Sequence, residues 1–157
     1  MEFLECAYTE DKVMDSKKII TYGTWDMFHY GHYFLLKRAK KLGGQLYVGV
    51  STDKMCLLKG KATILDENTR LQLIKEFRFV DKVFFEYDMK QKVDDIEKYG
   101  IDIFVLGDDY AEKFPQMEEY AFVKEKCEII YLPRTPEISA TDLKNKLANQ
   151  MNIKKIM

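Results

Sequence analysis

The sequence predicts an α/β protein built on a doubly wound, five-stranded parallel sheet with helices on both faces. Three observations carry this prediction. Short apolar runs rich in β-branched and aromatic residues alternate with segments whose apolar residues recur at helical spacing. Glycine, proline and acidic residues punctuate the runs as turns require. The residues with the most chemistry to offer gather just after the apolar runs, at the edge where open parallel sheets bind ligands.

The elements follow in order from Lys18. "IITYG" is the first strand, and "YFLLKRAKKL" is a helix whose Leu35, Leu36, Ala39 and Leu42 share a face, closed by Gly43 and Gly44. "LYVGVS" is the second strand, followed by a polar loop and a helix near "ENTRLQLIKEF". "KVFFEY" is the third strand, and "KQKVDDIEKY" is a helix ended by Gly100. "IFVLG" and "EIIYLP" complete the sheet on either side of a helix around "MEEYAFVKEK". The last helix starts at Ser139, which forms an S-x-x-D capping pattern with Asp142 ahead of Leu143 and Leu147. Residues 1–17 lack a clear period and form an N-terminal arm or tail; residues 18–157 form the single domain.

Composition narrows the function classes. The 157 residues, 46% hydrophobic and 32% charged, suit one globular core without repeats or low-complexity tracts. Lys and Arg number 25 against 26 Asp and Glu, so no global positive field draws the chain to nucleic acid or anionic lipid. Apolar runs are too short for a membrane span, and the acidic N-terminus does not resemble a signal peptide, so a cytoplasmic protein is expected. Cys6, Cys56 and Cys127 are odd in number and far apart, which suits reduced thiols with packing roles.

The strand ends hold the unusual residues. Both histidines of the chain, His29 and His32, lie in "TYGTWDMFHYGH" behind Gly23, which gives the turn its freedom. Side chains at i and i+3 share a face, and a helix start offers unpaired N–H groups and partial positive charge, so the pair suits a phosphate clamp. The competing reading is that one histidine caps or packs while the other is solvated. Zinc lacks a third ligand nearby. After the second strand, Lys59 and Lys61 flank Gly60 with Asp53 at the base of their loop. They can close over a triphosphate or form a solvated turn. "GDDY", Gly107 to Tyr110, offers carboxylates for Mg²⁺ or a ribose or base, or else a plain turn. "PRTPEIS" fixes Arg134 between prolines ahead of a second helix start at Ser139. Two such sites at one sheet edge suit a ligand with several phosphates.

With these residues in view, "YGTWDMFHYGH" resembles the H-x-G-H motif of the nucleotidyltransferase superfamily, and "RTPEIS" resembles its second signature. Together with "STD", "FRFVDKV" and "FVLGDD", the match covers about Lys17 to Leu147 and is nearest to the cytidylyltransferases that use glycerol 3-phosphate. The resemblance implies a Rossmann-like domain that transfers a cytidylyl group from CTP to a small phosphomonoester, giving CDP-glycerol and pyrophosphate, with Mg²⁺ and as a homodimer. It implies catalytic positions at His29, His32, Lys59, Lys61 and Arg134. A nucleotide site is implied at Tyr22, Gly23, Thr24, Trp25, Asp26, Gly107, Asp109, Arg134, Thr135, Ile138 and Ser139, and acceptor contacts at Lys61 and Arg78.

The chain departs from that pattern in places. Ala140 stands where relatives often carry a hydroxyl, with Thr141 beside it; Met89 lies where close relatives carry a tryptophan; "PQMEEYAFVKEK" is longer than its counterpart; and the N-terminal residues are additional. The nucleophile of such a reaction is already an anion, so no general base is needed, and none of the usual nucleophile triads is in evidence. Adenylyl transfer, other acceptors such as phosphocholine, phosphoethanolamine or a sugar phosphate, and a non-catalytic nucleotide-binding module are the competing readings. A tRNA synthetase fragment would need a basic nucleic-acid face.

Overall fold

A computed structural model describes residues 16–136 and 139–156 of the chain. Most of the expected arm, with Cys6, and the expected site residue Ile138 lie outside the described residues. The five strands are β1 (Lys18–Gly23), β2 (Gln45–Ser51), β3 (Lys82–Glu86), β4 (Ile103–Gly107) and β5 (Glu128–Leu132). All pair in parallel, in the order β3-β2-β1-β4-β5. Thr21 at the centre of β1 sits opposite Val48 on one side and Val105 on the other. Strand order reverses between β1 and β4, which makes the carboxyl edge there the natural crevice.

Among the described residues five α-helices lie between the strands, α1 (Tyr30–Lys40), α2 (Asp53–Leu58), α3 (Glu67–Lys75), α4 (Gln91–Tyr99) and α5 (Tyr120–Lys126), and α6 (Ala140–Ile156) follows β5. The period of two along each strand divides the core. Ile19, Val48, Val50, Ile103 and Val105 pack with Leu36 and Ala39 of α1 and Ile74 of α3. Ile20, Phe104 and Leu106 pack on the other face with Ile96 of α4 and Val123 of α5. The expected doubly wound sheet is therefore present, with a core on each face.

Two local expectations are corrected. The stretch expected to be a polar loop after β2 contains α2, which Thr52 caps by accepting the Met55 N–H at 3.1 Å. Gly43 and Gly44 do not end α1 by left-handed geometry, because the cap is Lys41 in ordinary helical conformation. Gly43 serves close approach instead: a Cβ there would lie 2.7 Å from the Lys17 carbonyl oxygen. Gly100 is left-handed at φ 62° and ends α4 as expected. Ser139 likewise caps α6, its hydroxyl accepting the Asp142 N–H at 3.1 Å.

Candidate active site

The turn after β1 is built around a buried indole. Gly23 was expected to supply the free backbone there, yet the positive φ angles belong to Trp25 (56°) and Met27 (48°). Left-handed conformations at such side chains cost about 1–2 kcal/mol each and persist only where packing holds them. Trp25 Nε1 donates to the Gly49 carbonyl at 3.0 Å, and the ring fills the space beside Gly23, where a Cβ would meet Trp25 Cε2 at 2.7 Å. Gly23 is thus required for contact with the indole. The strained turn delivers His29 to the start of α1.

The two histidines form a reciprocal cap. His29 is the N-cap of α1, and its Nδ1 accepts the Gly31 N–H at 3.1 Å; His32 Nδ1 accepts the His29 N–H at 3.4 Å. Their rings stack with centroids 3.9 Å apart. Each Nδ1 is therefore an acceptor, so in the neutral rings the proton sits on Nε2. Burial lowers the pKa of both, with His32 down to about 3. The His29 Nε2 is buried and has no hydrogen-bond partner among the described residues. The capping reading is met by both rings, and it leaves the phosphate reading open, since one ring nitrogen serves the helix and the other remains as a donor.

On the face carrying α4, a polar cluster closes the ends of β1, β2 and β3. Glu86 is fully buried, and its Oε1 accepts from Lys92 Nζ at 2.5 Å while its Oε2 accepts from Ser51 Oγ at 2.5 Å and Lys59 Nζ at 3.1 Å. Burial alone would raise its pKa, but Lys92 and Lys59 hold it below the usual value, so the carboxylate is ionised. Lys92 lies 5.0 Å from the Tyr22 ring centroid, and the Tyr22 hydroxyl donates to Asp95 at 2.8 Å. Burial pushes the Tyr22 and Asp95 pKa values up. Lys61, two residues beyond Lys59, is exposed.

Asp26 organises the lysine loop. Its two oxygens accept the Ile64 and Leu65 N–H groups at 2.8 and 2.9 Å, and Lys144 of α6 approaches to 2.7 Å. Burial works against its charge, but these donors hold the pKa below the usual carboxylate value. Arg70 does similar work from α3. Fully buried, it donates to the carbonyls of Leu65, Thr24 and Ser51 at 2.9, 2.6 and 2.7 Å and to Asp53 at 2.6 Å. One side chain thereby ties the ends of β1 and β2 to the loop between them and α3.

Beyond β4, Asp108 to Tyr110 form one 3₁₀ turn. Asp109 accepts from Arg134 at 2.7 Å, and a Cβ on Gly107 would lie 2.6 Å from Asp109 Oδ1, so this residue must be glycine for the carboxylate to fold back. Thr135 is half-buried beside the largely exposed Arg134. Of the residues expected at the site, Tyr22, Gly23 and Gly107 end β1 and β4, and Thr24, Trp25, Asp26, His29, His32, Lys59, Lys61, Asp109, Arg134, Thr135 and Ser139 lie in the segments that follow strand carboxyl ends. Arg78 is exposed in the turn that precedes β3.

The cytidylyltransferase-like family matches residues 20–146, most of the chain. The chain belongs to that family. It is 47% identical over 133 residues to the glycerol-3-phosphate cytidylyltransferase of Bacillus spizizenii, a match spanning 85% of this chain and 98% of the relative. The enzyme of the same name from Staphylococcus aureus is 44% identical over 131 residues, spanning 83% of this chain and 95% of the relative. Among solved structures, a lipopolysaccharide core biosynthesis protein of Thermoplasma volcanium superposes with a TM-score of 0.63 at 30% identity. That match covers 76% of this chain and 98% of the other.

Three residues of this cytidylyltransferase-like site were missed in sequence: Glu86, Lys92 and Arg70. Arg70 left a signal, because it lies on the same face of α3 as Ile74, four residues on, where an apolar residue was due. Glu86 likewise ends a strand on an inward-facing position. Lys92 left none, since a lysine in the first turn of a charged helix reads as solvated.

Proposed function

We propose that this chain transfers a cytidylyl group from CTP to glycerol 3-phosphate, releasing pyrophosphate. The observation that carries the substrates is the near full-length likeness, at 47% and 44% identity, to two proteins named glycerol-3-phosphate cytidylyltransferase. The geometry supports the reaction type. An acceptor phosphate oxygen forms a bond to the α-phosphorus as the bond to the β-phosphate oxygen breaks, so no proton has to be moved. The protein's part is positioning and charge stabilisation.

His29 and His32 donate Nε2–H to the leaving phosphates, where partial positive charge at the start of α1 adds to their effect. Arg134, Ser139 and the start of α6 face the same crevice from β5 and hold the nucleotide. Thr24, Trp25 and Asp26 shape its floor, with Gly107 and Asp109 across the β1–β4 switch point. Lys59 and Lys61 approach from the loop after α2.

Asp26 and Asp109 are already ion-paired with Lys144 and Arg134, so a Mg²⁺ ion would be held by the substrate's phosphates rather than by these carboxylates. Such an ion would supply charge neutralisation at the transferring phosphorus. A homodimer is part of the same proposal, supported by the exposed Tyr30 and Phe34 on α1, and light scattering tests it.

The deciding experiment is pyrophosphate release by the purified protein with Mg²⁺ and glycerol 3-phosphate, comparing CTP with ATP, GTP and UTP. Release with CTP alone, dependent on the acceptor, is expected. Equal release with ATP, or release indifferent to the acceptor, refutes the assignment.

A further inference from the structure

Glu86 is hard to explain as a stabilising residue. A fully buried carboxylate with two ammonium partners carries a desolvation cost that its ion pairs seldom repay, and an apolar side chain of similar size does as well. Its surroundings are uneven in a way that suggests a use. Lys92 is buried on α4 and held over the Tyr22 ring, whereas Lys59 has a side chain 24% exposed and directly precedes Gly60, whose φ is 73°. One ammonium is fixed, and the other is partly exposed where α2 ends at a left-handed glycine.

The carboxylate can lose the second without being orphaned. If Lys59 departs, Oε2 keeps the Ser51 hydroxyl and Oε1 keeps Lys92. Glu86 therefore holds Lys59 without depending on it. Tyr22, Ser51 and Glu86 lie on the α4 face of the sheet, whereas the histidines open α1 on the opposite face. In-line displacement puts the entering phosphate and the leaving pyrophosphate on opposite sides of the α-phosphorus. With the histidines on the leaving side, the lysine cluster falls to the acceptor.

We propose that Glu86 is a positioning residue that holds Lys59 in the free protein and yields it to the acceptor phosphate, so that the phosphate binds by displacing a carboxylate from the lysine. This inference rests on the proposed transfer to a phosphomonoester. A phosphate dianion outcompetes the single charge of Glu86, and Lys59 comes to the acceptor only when one is present.

The test is steady-state kinetics of pyrophosphate release with the full-length chain, varying glycerol 3-phosphate and CTP separately. Glu86→Gln frees Lys59, so the acceptor KM falls roughly fivefold while the CTP KM holds. Ser51→Ala removes the hydroxyl that would satisfy Oε2 after Lys59 leaves, so the acceptor KM rises roughly two- to threefold. In a Lys59→Ala background both effects vanish, because they act through that lysine. Opposite signs from two changes in one cluster are not expected of a merely structural role, which would weaken both substrates and the fold together.

An acceptor KM unchanged in both variants, or shifts that persist without Lys59, overturns the proposal. Should Glu86→Gln fail to fold, Ser51→Ala with and without Lys59→Ala decides alone. A wild-type protein that releases no pyrophosphate would instead overturn the functional assignment, so the two failures are distinguishable.

Discussion

Because the chain contains only 2 histidines and both form the cap of α1, its stability between pH 7 and pH 5 reports on that pair. His32 has its pKa lowered by burial from 6.5 to about 3. The folded state thus refuses a proton that the unfolded state accepts, and stability is lost as pH falls below the unfolded value. At pH 5 the shift amounts to about 2 kcal/mol relative to pH 7 from His32 alone. Carboxylates with lowered pKa, such as Asp26 and Glu86, add their losses only nearer their unfolded values, about 4. Asp95, raised by burial, has the opposite sign, which makes comparison with a variant necessary. His32→Gln keeps an acceptor for the His29 N–H at the third helical position, as in an ordinary capping box. Urea unfolding at pH 7 and pH 5 should show the wild-type midpoint dropping by about 1 M and the variant's by much less. A wild-type midpoint indifferent to pH over this interval, or an equal drop in His32→Gln, refutes a buried, neutral histidine pair.

Three further outcomes are expected from the same geometry. His29→Ala removes the unpartnered Nε2–H donor and should lower kcat about 10²- to 10³-fold in the pyrophosphate assay, with about 1 kcal/mol of stability lost from the cap. An unchanged kcat would return His29 to a purely capping role. Arg70→Met leaves three carbonyls and the Asp53 carboxylate without their shared donor, so unfolding should become easier by about 3–5 kcal/mol, read as a fall in Tm. Gly23→Ala drives a methyl group into the Trp25 ring and should cost about 1–3 kcal/mol. Its tryptophan fluorescence should shift toward the solvated indole, and an unshifted spectrum would mean the turn accommodates the methyl group without moving Trp25.

The sheet was legible because its signals are local. Alternating apolar runs such as "LYVGVS" and capped helices such as the one opened by Ser139 determine their own conformation within a few residues. The histidine pair was legible for the same reason, since both partners lie in one turn. The polar cluster was not. Ser51, Glu86 and Lys92 come from β2, β3 and α4, and only pairing of β2 with β3 in register, which sets Ser51 opposite Glu86, brings them together. Gly23 shows a subtler failure: a glycine after a strand suggests backbone freedom, but the φ angles place the strain on Trp25 and Met27. What made glycine necessary was an aromatic ring two residues on, and an indole's packing is decided by distant Gly49.

The arrangement also accounts for the tolerance of strain in the β1 turn. Trp25 and Met27 hold left-handed backbone because the indole is fixed on β2 and Asp26 between them is anchored to the lysine loop and to α6. The same three residues set where α1 begins, and so where the His29 Nε2 points. A relaxed turn would leave the helix intact but would rotate its first residues, and in the proposed reaction a donor displaced by about 1 Å would forfeit much of its effect. The strain is therefore tied to aiming the histidines, and the pairings of Asp26 with Ile64, Leu65 and Lys144 link that aim to the loop that carries Lys59.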